Sequence, residues 1–211
     1  MEIPPPAVPT ERLADWRQTD ATIERAFSTP VVTVETHTRV FEETTQRDRI
    51  RAETGIDQPW RFFFVSRIRL DPPRQPSLLL TPLVRSESAR DFADRLAARG
   101  FSQIDRHNRT EMSVGQTTGL RFDYRAIYRL HAPDGDRPEQ HLSLPVAASL
   151  AVWNDGHDYH VAGGAYPSDK PDSAPEPLYT ALTASVDPET ARAELLALID
   201  GCGPPPGREN A

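Results

Sequence analysis

The clearest patterning of apolar and polar positions runs through residues 142–167, LSLPVAASLAVWNDGHDYHVAGGAYP, where two apolar runs flank Asp155-Gly156. An Asp-Gly pair supplies the positive φ angles of a tight two-residue turn, so the run predicts a hairpin pairing Trp153 with Asp158, Val152 with Tyr159 and Leu150 with Val161. Side chains alternate along a strand. Leu150, Val152, Tyr159 and Val161 therefore share one face, and Trp153, Asp158 and His160 the other.

Other segments alternate in the same way. Residues 31–42, VVTVETHTRVFE, place Val34, Thr36, Thr38 and Val40 on the less polar face, with Glu35, His37 and Arg39 opposite. Residues 60–70, WRFFFVSRIRL, are aromatic and β-branched, which favours strand over helix. In residues 118–130, Phe122, Tyr124, Ala126, Tyr128 and Leu130 alternate with Arg121, Asp123, Arg125, Ile127 and Arg129. Shorter strands are predicted over 101–106 and 109–114.

Helical spacing is predicted in three places. Leu13, Trp16, Ile23 and Phe27 fall at helical intervals after Thr10, up to Pro30. Ser88 with Asp91 resembles a capping box ahead of the stripe Ala89, Phe92, Ala93 and Leu96, with Gly100 at the C-terminal end. Asp187-Pro188-Glu189 starts a helix whose stripe is Ala191, Leu195, Leu198 and Ile199. The charged segment 44–53 is either a short helix or a loop, closed by Gly55. The element order implies an α+β fold: a single antiparallel sheet of about six or seven strands packed by two or three helices.

Composition adds boundaries. Twenty-one prolines in 211 residues are concentrated at Pro4, Pro5, Pro6 and Pro9, at Pro171, Pro175 and Pro177, and at Pro204, Pro205 and Pro206. They divide the chain into a disordered or polyproline arm at 1–9, one domain at 10–201 and a Pro/Gly tail at 202–211. A net charge of −7 argues against nucleic-acid and anionic-membrane partners. Among 24 lysines and arginines, Lys170 is the only lysine, which fits a GC-rich genome or a salt-adapted proteome. Cys202 is the single cysteine, so no disulfide forms within the chain, as suits a reducing cytoplasm. No apolar run approaches membrane-spanning length.

Two clusters are candidates for chemistry. Asp155, His157, Asp158 and His160 offer metal-ligand types, but the hairpin register turns His157 away and leaves too few groups for a metal centre. The arginines of the polar strand faces, Arg39, Arg61, Arg67, Arg69, Arg121, Arg125 and Arg129, would form one anion-binding surface if their strands are neighbours. Otherwise they are a solvated face paired with Glu35, Glu111 and Asp123. Gly163-Gly164 is not followed by a helix and does not form a phosphate loop. There is no GxSxG, and His37, His107, His131 and His141 are scattered.

GLRFDYRAIYRL, LAVW, YHVAGGAYP, WRFFFVSRI and FADRLAARGF together resemble an uncharacterised protein family of halophilic archaea. The order of elements is also similar, in architecture only, to PsbP-like folds, which implies binding or assembly rather than catalysis. The expectation is a non-enzymatic binding or accessory domain without cofactor. Its ligand site would comprise Arg61, Arg67, Arg121, Arg125, Arg129, Trp153, Asp158 and His160, facing a small anionic ligand or a protein. The alternatives are a hydrolase centred on Asp158 and His160, completed by His37 or Glu35, and a structural subunit presenting Trp153.

Overall fold

The computed structural model describes residues 3–28, 33–72, 74–131, 141–171, 176–185 and 187–203. After a short turn at Thr10–Arg12, the chain runs β1 (Trp16–Ser28), β2 (Thr33–Glu43), α1 (Thr45–Thr54), β3 (Phe62–Asp71) and α2 (Leu80–Ala98). It continues through β4 (Phe101–Val114), β5 (Thr117–His131), β6 (His141–Asn154), β7 (Tyr159–Pro167), α3 (Glu176–Ser185) and α4 (Pro188–Asp200). All seven strands form one antiparallel sheet in the order β1-β2-β3-β7-β6-β5-β4. The α+β class and the single antiparallel sheet agree with the sequence pattern.

The sheet has helices on both faces because both faces are apolar at its centre. On the first face Phe62, Leu120, Phe122, Tyr124, Leu150, Val152, Val161 and Ala165 pack with Ala89, Phe92 and Leu96 of α2 and with Leu178, Ala181 and Leu182 of α3. On the second face Phe63, Val65, Ala151, Trp153, Ala162 and Tyr166 pack under Ala191, Leu195, Leu198 and Ile199 of α4. β7 is buried along its whole length, as a central strand covered on both sides must be.

Five expectations are corrected. The segment after Thr10 is the strand β1, not a helix: its outer side has no partner strand and Ile23 is 49% exposed, so no clean alternation marks it. β1 is an edge protected by charged residues such as Glu24 and Arg25. α2 starts at Leu80, eight residues before Ser88, with Ser77 Oγ accepting the Leu80 N–H at 3.2 Å; Ser88 lies inside the helix. Residues 101–106 and 109–114 are one bulged strand, β4. Around Pro177, where no helix is predicted, the chain forms the helix α3, packed on α1.

The β6–β7 turn is the fifth correction. Its register pairs Trp153 with His160 and Val152 with Val161, so the loop holds the four residues 155–158 rather than two. Asp155 Oδ1 accepts the N–H groups of His157 (2.9 Å) and Asp158 (2.8 Å), a side-chain-closed turn that competes with the two-residue form. A two-residue slip preserves parity. Trp153 and His160 therefore still share the face opposite Leu150, Val152, Tyr159 and Val161.

The Pro-rich start packs onto the domain. Ile3 is 2% exposed, and Pro9 lies beneath Gly201, where a Cβ would stand 2.6 Å from the proline. Cys202, expected in a tail, is buried beside α4, because its thiol reaches the Leu198 carbonyl and Gly203 lies against Val114.

Candidate functional site

The second sheet face gathers part of the expected site. His37, Arg67, His160 and Trp153 stand in one row across β2, β3, β7 and β6. Asp158 accepts a two-pronged hydrogen bond from Arg69 Nε (3.3 Å) and Nη2 (3.0 Å), with Arg67 Nε at 3.7 Å. His160 Nε2 lies 2.9 Å from Asp155 Oδ2, and its ring stacks on Trp153 with centroids 5.5 Å apart. Trp153, Asp158 and His160 are all buried. His37 points elsewhere, its Nδ1 3.2 Å from the Ile3 carbonyl. Among the described residues no three His, Cys, Asp or Glu side chains are placed to hold a metal ion.

The arginines do not form one surface. α4 lies over the middle of this face and separates them. Arg61 pairs with Glu194 of α4 and lies over the Trp16 ring. Arg121 is paired to Asp123, which also accepts from Ser149 Oγ (2.8 Å) and Asn108 Nδ2 (3.0 Å). Arg125 and Arg129 are exposed further out on β5. The expected anion-binding face is therefore three separate neighbourhoods, and most of its guanidiniums already have a carboxylate.

The first face holds what sequence reasoning missed. α2 lies against β4 and β6, pinned by Tyr124 Oη donating to the Ala89 carbonyl at 3.0 Å and by the 3.1 Å contact of Thr81 Oγ1 with Tyr159 Oη. Phe92 anchors it, stacked on Phe64 at 5.6 Å and edge-on to Tyr124 at 5.3 Å. Among the described residues this position leaves the β1–β3 side of the sheet without a helix above it. The result is a cavity of about 1090 Å³. Val34, Val40, Phe64, Ile68 and Leu70 are on its floor, and Leu79, Leu83 and Val84 are on its helical wall.

The floor is apolar along β3 and at Val34 and Val40 of β2, while β1 contributes Asp20, Thr22 and Glu24 and β2 contributes Thr36. Thr38 and Ser66 satisfy each other at 2.7 Å. Around the rim, Arg95 pairs with Asp91 and Glu24, and Arg90 with Glu87. Arg99 lies over the Phe62 ring at 5.2 Å and, among the described residues, faces no carboxylate within ion-pair distance. Leu78, Leu79 and Leu83 are 95%, 88% and 56% exposed, a concentration of bare leucine at the start of α2. The one sequence signal was the LLL run at 78–80, an apolar triplet that no strand or core stripe absorbed.

Fold and cavity together define a one-sheet α+β protein with an open apolar trough on one face. The chain belongs to the DUF6517 family, a domain of unknown function, whose profile matches residues 5–203. No curated protein and no solved structure matches it. No helix among the described residues is long and apolar enough to cross a membrane.

Proposed function

We propose that this protein is a non-enzymatic binding domain that holds an elongated apolar chain with an acidic end, such as a fatty acid, in the trough between α2 and β1–β3. The observation that carries this is the uncovered apolar floor beside exposed leucines. Leaving such a surface bare forgoes about 25 cal/mol for every Å² an occupant would bury. Patches of this kind mark binding sites. The floor extends from Val34 to Val40 along β2, about 20 Å at a strand's rise per residue, so a chain fits better than a compact molecule. The volume of about 1090 Å³ slightly exceeds the usual range of ligand sites, as an open trough does. Arg99, over Phe62 at one end and without an acidic partner, suits a carboxylate head.

The geometry favours this over a hydrolase at Asp158 and His160. Asp158 is held by Arg69 and Arg67, and His160 is sandwiched between Asp155 and Trp153, so neither has a free path to a substrate.

The test is a titration with the fluorescent fatty acid cis-parinaric acid, with palmitate as competitor. Saturable enhancement is expected. It should be abolished in Thr36→Trp, which fills the trough, and weakened about tenfold or more in Arg99→Ala. A normally folded wild-type protein that gives no enhancement overturns the proposal, as does a concentration-dependent dimer that protects Leu79 and Leu83 from solvent.

A further inference from the structure

α2 has cavities on two sides. Leu80, Leu83, Val84 and Glu87 face the trough, while Pro82, Arg85 and Ser86, one helical step round, line a second cavity of about 430 Å³. The opposite wall is β4, with Arg106, His107, Asn108 and Arg109, and Leu120 and Phe122 complete the lining. Among the described residues its lining has three arginines and no carboxylate.

The backbone builds this cluster. Arg106 and Arg109 are three residues apart, so in a regular strand they would point to opposite faces. The register of β4 slips between Arg106 and Asn108: Arg106 pairs with Tyr124 and Arg109 with Phe122, both on the first face. His107 is the extra residue of this bulge. It brings both guanidiniums to the side where α2 presents Arg85. Bulges re-aim side chains in this way and are over-represented beside functional sites.

Charge makes the arrangement informative. Elsewhere Arg47, Arg61, Arg69, Arg90, Arg95 and Arg121 each have a carboxylate within ion-pair distance. Among the described residues Arg85, Arg106 and Arg109 have none, as is also true of Arg39, Arg99, Arg125 and Arg129, but these three line one cavity together. Arg106 lies over the Phe122 ring at 5.4 Å, and Arg85 Nε is buried without a hydrogen-bond partner. Arg106 and Arg109 are exposed and Arg85 is half-buried, so the three like charges face solvent around one concavity where an arriving anion can meet all of them, and the buried Arg85 Nε would gain an acceptor.

We infer that the pocket formed by Arg85 of α2 and Arg106 and Arg109 of the β4 bulge binds a phosphate group. Three guanidiniums balance a dianion better than a carboxylate, and their planar forks suit its oxygens. The Ser86 hydroxyl is a further donor at the same wall. This site shares no residue with the trough and stands whether or not the trough holds a fatty acid.

Binding is measured by calorimetry and thermal shift with pyrophosphate and with glycerol 3-phosphate, at constant ionic strength set with sodium chloride. Flotation with vesicles of phosphatidylcholine, with and without phosphatidic acid, runs alongside. Saturable binding of the free anions assigns a soluble phosphate ligand; binding only to phosphatidic acid vesicles assigns a lipid head group. Either should fall at least tenfold in Arg106→Ala/Arg109→Ala and in Arg85→Gln, and stay unchanged in Arg129→Ala, an exposed arginine on the other face. No binding by either route overturns the inference. So does an equal loss in Arg129→Ala, which would mark a diffuse charge effect. Wild-type melting temperatures of the variants without ligand separate loss of the site from loss of the fold.

Discussion

His160 and Asp155 meet at 2.9 Å across the β6–β7 turn, and the environment acts on both. Burial lowers the His160 pKa, outweighing the opposing pull of Asp155, so the fold favours the neutral ring. Burial pushes Asp155 up, but the Asp158 N–H, the His160 side chain and the His157 N–H hold it at about 2. Both groups bind protons less readily folded than unfolded, so stability falls on acidification. His160 contributes a decline starting near pH 6.5. Asp155 adds about 2 kcal/mol, present above pH ~4 and lost towards pH ~2. Urea denaturation from pH 7 to 2 checks this: Asp155→Asn should flatten the lower part of the slope, and an unchanged slope would refute the assignment.

Gly164 is in the middle of the sheet, where a Cβ would stand 2.1 Å from the Phe62 carbonyl oxygen and 2.8 Å from Leu195 Cδ1. Backbone cannot yield there without disturbing the β3–β7 ladder. Gly164→Ala should cost at least the usual 1–3 kcal/mol of overpacking, roughly, and lower the melting temperature accordingly. Gly55→Ala is the contrast: nothing lies within 4 Å, and only the φ of +75 opposes a side chain, so about 1 kcal/mol is expected. Equal losses at the two positions would contradict the packing.

The Cys202 thiol is pushed up to about 12, chiefly by burial and then by the charge of Asp200. It is 4% exposed, with Sγ 3.3 Å from the Leu198 carbonyl. In the native protein it should react with a disulfide reagent only as fast as the domain opens, and immediately in denaturant. Rapid labelling under native conditions would show that the segment after α4 is not docked.

Residues that hold α2 and residues that line its open side should separate cleanly. Phe92→Ala removes the ring between Phe64 and Tyr124 and should cost about 3–5 kcal/mol. Tyr124→Phe loses the bond to the Ala89 carbonyl, about 1 kcal/mol. Leu79→Glu, at an exposed position, should leave stability within about 0.5 kcal/mol while weakening fatty-acid binding. Denaturation midpoints measured beside the parinaric acid titration distinguish the two roles.

Local patterns were legible where a residue's neighbours along the chain decide its environment. Alternation in β2, β3 and β5, the Asp187 cap of α4 and the left-handed Gly55 after α1 all follow from side-chain parity, a short acceptor or a missing Cβ. They were sufficient for an α+β fold with one antiparallel sheet. β1 escaped because an edge strand has one open side, and α3 because its segment reads as Pro/Ser/Asp loop. The order β1-β2-β3-β7-β6-β5-β4 depends on contacts between distant segments, and on it depends whether Arg67 lies near Arg121 or across the sheet from it. The trough exists only because α2 settles over β4 and β6, and the arginine pocket only because one bulge turns Arg109 to face α2. Sequence alone determined what each strand could bury; tertiary packing decided which of those surfaces stayed open.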